Sequence, residues 1–105
     1  MHFPKLDNSS IREAVSLWFY DEKKCIREYG HISEWDTELV TDMSQLFEGK
    51  GNFNEFLPWN TSNVKNMSGM FALCTSYNQV LKRTAKIVYW HTPNYNNIFI
   101  CLDIV

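Results

Sequence analysis

The apolar positions of the first thirty residues fall at helical spacing. Ile11, Ala14, Val15, Trp18, Phe19, Cys25, Ile26 and Tyr29 lie at offsets 0, 3, 4, 7, 8, 14, 15 and 18, which wind onto one face at 3.6 residues per turn. Charged residues fill the opposite side from Asp21 to Glu28. Ser10 and Glu13 have the spacing of a capping box, in which a hydroxyl and a carboxylate satisfy two helix-end N–H groups reciprocally. Gly30 is placed to end the helix in a left-handed conformation. The pattern predicts one amphipathic helix over residues 10–29, lying on a core. A helix on a membrane surface fits less well, because the polar face mixes both signs of charge.

Beyond Gly30 the pattern repeats. Trp35, Thr37, Val40, Met43, Ser44, Phe47 and Asn54 recur as Trp59, Thr61, Val64, Met67, Ser68, Phe71 and Asn78, all at the constant interval that separates Trp35 from Trp59 and without a gap. The apolar positions define the expected repeat core. In the first copy they are Ile32, Trp35, Val40, Met43, Leu46 and Phe47. In the second they are Phe56, Trp59, Val64, Met67, Met70 and Phe71. A third, degenerate set follows at Ile87, Trp90, Tyr95, Ile98, Cys101 and Leu102. Trp90 lies farther beyond Trp59 than Trp59 lies beyond Trp35, so a short insert is required, assigned to residues 80–86. An unrelated or frame-shifted tail is the competing reading of that segment.

Val40, Met43 and Phe47 sit at offsets 0, 3 and 7, one face of two helical turns, and Ile32 to Asp36 reads as a short extended stretch. Each unit is thus expected to be a short strand, a turn and a short helix, too small to bury its apolar face alone. Stacked, the units would bury a continuous core and form a short α/β solenoid with an N-terminal capping helix. The expected organisation is a tail over residues 1–9, the helix over 10–30, two repeats over 31–79, an insert loop over 80–86 and the third repeat over 87–105. Asp36 and Asn60, like Asp42 and Asn66, recur at turn positions, where their side chains can bond backbone groups.

Composition narrows the function classes. Ten Lys and Arg stand against twelve Asp and Glu, a net charge of −2, so binding of nucleic acid by phosphate neutralisation is not expected. Aromatics make up 15% of the chain, enough for a core but with little left over for a deep active site. Cys25, Cys74 and Cys101 have no CxxC spacing and read as reduced core thiols. The opening residues lack a basic and then apolar leader, and no run approaches the ~20 apolar residues of a membrane span. An intracellular location is therefore favoured, and the Asn-x-Ser/Thr triplets at Asn8, Asn60 and Asn66 read as by-products of composition.

Candidate chemistry is sparse. His2, His31 and His91 form no ligand spacing with the cysteines, so neither a metal nor another cofactor is expected. Cys74 with His31 lacks an orienting third group. Glu34 and Asp36 flank Trp35 as a glycosidase carboxylate pair would, but a solvated face is the better reading of them.

The run Ile32-Ser33-Glu34-Trp35-Asp36-Thr37, then Val40-Thr41-Asp42-Met43-Ser44, Leu46-Phe47 and Phe53-Asn54-Glu55 closely resembles the BspA-like leucine-rich-repeat family. Ile11 to Trp18 and Tyr29 to Ser33 look like the helical lead-in of such arrays. The resemblance covers residues 10–79. It implies an α/β solenoid used for protein–protein contact or adhesion in surface proteins, without catalysis. The expected function is a non-catalytic interaction module whose outer face, Ser33, Glu34, Asp36, Pro58 and Asn60, meets a protein partner. The apolar C-terminal edge leaves room for self-association. The alternatives are a truncated or decaying repeat remnant without independent function and, less favoured, a small hydrolase.

Overall fold

In the computed structural model, which describes residues 2–77, the first helix is started by Asp7 and not by the Ser10–Glu13 box. Asp7 Oδ1 accepts from the N–H groups of Ser9 and Ser10 at 3.0 and 2.8 Å, and Ser10 Oγ accepts from the Asp7 N–H at 2.8 Å. Bonds donated to the carboxyl by the Ser10 N–H and by the Ser10 hydroxyl hold Asp7 below its ordinary value. Helix α1 then spans Ser10–Tyr20 and buries Ile11, Ala14, Val15 and Trp18.

The single helix expected over residues 10–29 is two. Asp21 leaves helical geometry at φ −153°, ψ 87°, and its side chain accepts from Lys24 N–H at 3.1 Å, capping helix α2, Glu22–Tyr29. Cys25 Sγ lies 3.4 Å from the Ala14 carbonyl oxygen. In one unbroken helix those residues would stand about 16 Å apart along the axis. The break at Asp21 therefore folds α2 back onto α1. Gly30, with φ 84°, ends α2 and donates its N–H to the Ile26 carbonyl at 2.9 Å.

The described residues do not build the expected α/β solenoid. Among the described residues there is no strand and no sheet, and the regular elements are α1, α2 and one 3-10 turn, Ile32–Glu34. The stretch expected to be extended before Trp35 is that turn, held by His31 Nδ1, which accepts from Ser33 N–H at 3.2 Å. Residues 40–47, expected to be helical, form successive tight turns instead. The N–H groups of Leu46, Glu48 and Lys50 close turns onto the carbonyls of Met43, Gln45 and Phe47. The intervening N–H groups leave the unit: Met43, Gln45, Phe47 and Gly49 donate to Asn66, Ser68, Met70 and Ala72 at 2.8 to 2.9 Å. A two-turn helix is costly to nucleate and makes few bonds of its own. Pairing alternate amides with the next unit satisfies those donors without it. The sole β-type pairing among the described residues is an isolated parallel bridge between Asp42 and Asn66.

The second unit repeats these turns at the matching positions, with Met70, Ala72 and Cys74 donating to Met67, Gly69 and Phe71. Positive φ repeats as well, at Gln45 (56°) and Gly69 (66°), and at Gly49 (79°) and Leu73 (62°). Each unit thus places one glycine and one side-chain-bearing residue in left-handed geometry, at exchanged positions.

The repeat interval also stacks the core. Trp35 lies on Trp59 with centroids 5.8 Å apart, Phe47 on Phe71 at 5.6 Å and Phe53 on Tyr77 at 5.5 Å, all within 15° of parallel. Trp18 of α1 meets Trp35 edge-on at 6.4 Å and so continues the stack into the helices. Trp35 and Trp59 donate their indole N–H groups to the carbonyls of Gly30 and Ile32, so both large rings are buried with their polar atom paired.

Ile32, Trp35, Val40, Met43, Leu46, Phe47, Trp59, Val64, Met67, Met70 and Phe71 are buried. Phe56 is not: it is 52% exposed, and the next residue, Leu57, is fully buried. The match of Phe56 to Ile32 therefore misplaces the second unit's entry by one residue. Ile32 is turned inward by the His31–Ser33 turn, and the second copy has Glu55 and Leu57 where the first has His31 and Ser33. The insert expected over residues 80–86 and the third repeat over 87–105, with Ile87, Trp90, Tyr95, Ile98, Cys101 and Leu102, lie outside the described residues.

Candidate partner-binding face

Ser33, Glu34 and Asp36 come from the 3-10 turn and its exit, and Pro58 and Asn60 from the matching part of the second unit. Glu34, Asp36, Pro58 and Asn60 are exposed, whereas Ser33 is half-buried and its Oγ lies 2.8 Å from His31 Nδ1. The backbone beneath them is tightly held. Asp36 Oδ1 accepts from Glu38 N–H at 3.1 Å and Asn60 Oδ1 from Ser62 N–H at 2.9 Å, the same side-chain turn in each unit. The buried Thr37 hydroxyl donates to the Asn60 carbonyl at 2.8 Å and fastens the two turns together. Asp36 and Asn60 thus shape the backbone first and offer surface second, a division visible in their recurrence at the same repeat position.

Next to this face the N-terminal tail contributes Lys5, whose Nζ lies 2.6 Å from Glu38 Oε1, and Leu6, whose N–H donates to the Asp36 carbonyl at 3.0 Å. The Glu38 carboxylate raises the Lys5 pKa through that hydrogen bond. Arg12 of α1 reaches Asp42 at 3.6 Å and donates to the Ser44 carbonyl at 2.9 Å. Asp42 is held below its ordinary value chiefly by its hydrogen bond from the Ser44 N–H.

The two thiols among the described residues, Cys25 and Cys74, are packed into the core. Burial pushes Cys25 up to about 11, and the Cys25 Sγ faces the Ala14 carbonyl. Burial also raises Cys74, whose Sγ lies 2.9 Å from the Phe47 carbonyl oxygen. A nucleophilic thiol needs the opposite shift. His31, the partner weighed for Cys74, is engaged with Ser33 and edge-on to Trp18 at 5.0 Å. Among the described residues no group of three or more His, Cys, Asp or Glu side chains is placed to hold a metal ion. No helix among them is long and apolar enough to cross a membrane.

One feature had no signal in the repeat pattern. An open cleft of about 440 Å³ lies between the α1–α2 break and residues 50–55, with Trp18, Phe19, Glu22, Lys50, Phe53 and Glu55 on its walls. Lys50 Nζ stands 4.8 Å from the centre of the Phe19 ring. The cleft exists because Asp21 turns the chain away, and the helical period alone places Phe19 and Glu22 on one continuous helix.

No curated protein and no solved structure matches the chain. A family model does, over residues 13–100, which takes in most of α1, all of α2, both turn units and the segment after them. That family is related to the BspA-like repeat proteins. The chain belongs to the family described as Mycoplasma protein of unknown function, DUF285.

Proposed function

We propose that this chain is a non-catalytic protein–protein interaction module of the BspA-like repeat type, contacting a protein partner through Glu34, Asp36, Pro58 and Asn60, with Ser33 at the rim. One observation carries the reading: matched exposed side chains of two successive units stand on a backbone fixed by the Thr37–Asn60 bond and by one side-chain turn in each unit. A surface already ordered loses little conformational freedom on binding, which favours affinity from a modest area. The burial of the aromatic stack and of both described thiols supports the same reading, since these reactive or ring-bearing groups are spent on packing.

The test is an affinity capture from the native host with the double variant Glu34→Gln and Asp36→Asn. Asn keeps the acceptor that bonds Glu38 N–H, so charge is removed while the turn remains. Loss of a reproducible partner, direct binding of which is then weakened at least tenfold by the variant, supports the face. An unchanged partner and affinity contradict it. A chain whose unfolding is non-cooperative would instead favour a decaying remnant.

A further inference from the structure

The charges around the cleft beside Phe19 are unevenly met. At about 440 Å³ the cleft is of a size that small ligands occupy. Its charged wall residues are Glu22, Lys50 and Glu55, which leaves one negative charge in excess. Glu22 stands at the start of α2 and Glu55 on the segment across the cleft, so the carboxylates come from different walls. Neither accepts a hydrogen bond from a described residue, and His31 Nε2 approaches Glu55 Oε1 only to 3.9 Å. Lys50 is half-buried and pairs with no carboxylate among the described residues; its Nζ lies 4.8 Å from the centre of the Phe19 ring. That ring is held in place edge-on by Phe47 and Phe53, at 6.4 and 5.5 Å. An aromatic face in this cleft thus already carries a cation, the chain's own.

We propose that this cleft binds an arginine side chain of the protein partner, with the guanidinium on the Phe19 ring and its N–H groups donated to Glu22 and Glu55. The source of the arginine rests on the interaction-module reading. The cleft adjoins that face, because His31, beside Glu55, also holds Ser33 at its rim. Three features select the ligand. The excess negative charge calls for one cation. Carboxylates on two walls suit donors that spread in a plane, which a guanidinium has and an ammonium lacks. The ring that carries Lys50 offers a stacking face, and the weakly hydrated guanidinium gives up less water to reach it than an ammonium does. A divalent metal fits less well, since among the described residues no third His, Cys, Asp or Glu joins the two glutamates. Lys50 is then an internal competitor that holds the cation place in the free chain and leaves it when arginine enters.

The test titrates the isotope-labelled full chain with N-acetylarginine amide, whose blocked ends make it stand for a residue within a chain, and follows the amide shifts by NMR. Saturation is expected at a dissociation constant of about 1 mM, with the shifts centred on Phe19, Glu22 and residues 50–55. The neutral N-acetylcitrulline amide, of nearly the same shape, should bind at least about tenfold more weakly. Glu22→Gln and Glu55→Gln should each weaken the arginine probe at least about fivefold. Lys50→Met should tighten it about threefold by removing the competitor. The Glu34→Gln, Asp36→Asn chain should bind the probe as the parent does, so a failure of the outer face and a failure of the cleft are told apart. No saturation by about 10 mM, equal binding of the citrulline probe, or weaker binding to the Lys50→Met chain would overturn the proposal. So would free arginine bound more than about tenfold tighter than the blocked probe, which would place a free amino acid in the cleft and not a partner's side chain.

Discussion

Asn8 Oδ1 accepts from the Thr41 N–H at 2.8 Å, the place that the Thr41 carbonyl itself takes for Lys65 N–H one unit later, at 2.7 Å. A side-chain amide thus stands in for the backbone of a unit that would precede the first. The same oxygen accepts from Asp42 N–H at 3.2 Å, and Asn8 Nδ2 returns a bond to Thr41 Oγ1 at 2.8 Å. The N-terminal tail is therefore structural: it closes the edge on which the pairing of the units begins.

Asn8→Ala removes this acceptor from two backbone donors and is expected to cost about 1–2 kcal/mol, with Asn8→Asp retaining most of it. Urea melts followed by far-UV circular dichroism check both. An Asn8→Ala chain as stable as the parent would show that water serves the Thr41 and Asp42 amides equally well.

Phe56 and Leu57 exchange the roles that the repeat alignment assigns. Leu57→Ala should lose about 2–5 kcal/mol, and Phe56→Ser no more than about 0.5 kcal/mol. Thermal melts of the two single variants give the comparison, and the reverse ranking would restore Phe56 to the core.

Leu73 and Gln45 sit at positive φ in positions where the other unit has glycine. Leu73→Gly, at an exposed turn, should stabilise the chain by up to about 1 kcal/mol, since left-handed geometry costs a side chain roughly 1–2 kcal/mol and glycine's extra freedom in the unfolded chain offsets part of the gain. Gly69→Ala should destabilise by a similar amount. Chemical denaturation of both variants measures the signs.

The pH dependence follows from the direction of each shift. Asp42 and Asp7 titrate below their ordinary 3.8 in the fold, so their contribution is present above that value and is lost as pH falls through the lower folded values. Cys25 titrates higher, near 11 against 9.0. Its contribution is therefore full below pH 9 and is lost as pH rises toward 11. Stability measured from pH 2 to 11 should form a plateau from about 5 to 9 from these groups, and Cys25→Ser should flatten the alkaline decline. An alkaline limb unchanged by that variant would assign the decline to other groups.

The repeat was legible because its spacing is covalent: Trp35 and Trp59, or Phe47 and Phe71, stack in the register that the identities define. The turn roles of Asp36, Asn60, Asp42 and Asn66 were legible for the same reason, since a short acceptor two residues before a serine or glutamate N–H recurs in both copies. The local conformation was not. Offsets of 0, 3 and 7 at Val40, Met43 and Phe47 suit a helix, yet they equally suit linked turns whose alternate amides pair with a neighbour, and periodicity does not record where an N–H points. The break at Asp21 was hidden because α2 continues the apolar period of α1. Its one signal was Asp21 itself, an N-cap residue three before Lys24. The exposed strip could be read from polarity, but the cleft beside Phe19 depends on that break and could not.

The most direct measurement is the set of NMR couplings transmitted through hydrogen bonds in the isotope-labelled full chain. Couplings from the amides of Met43, Gln45 and Phe47 to the carbonyl carbons of Asn66, Ser68 and Met70 are the predicted result. A coupling from the Phe47 amide to the Met43 carbonyl, the bond of an α-helix, would contradict the pairing of the two units described here.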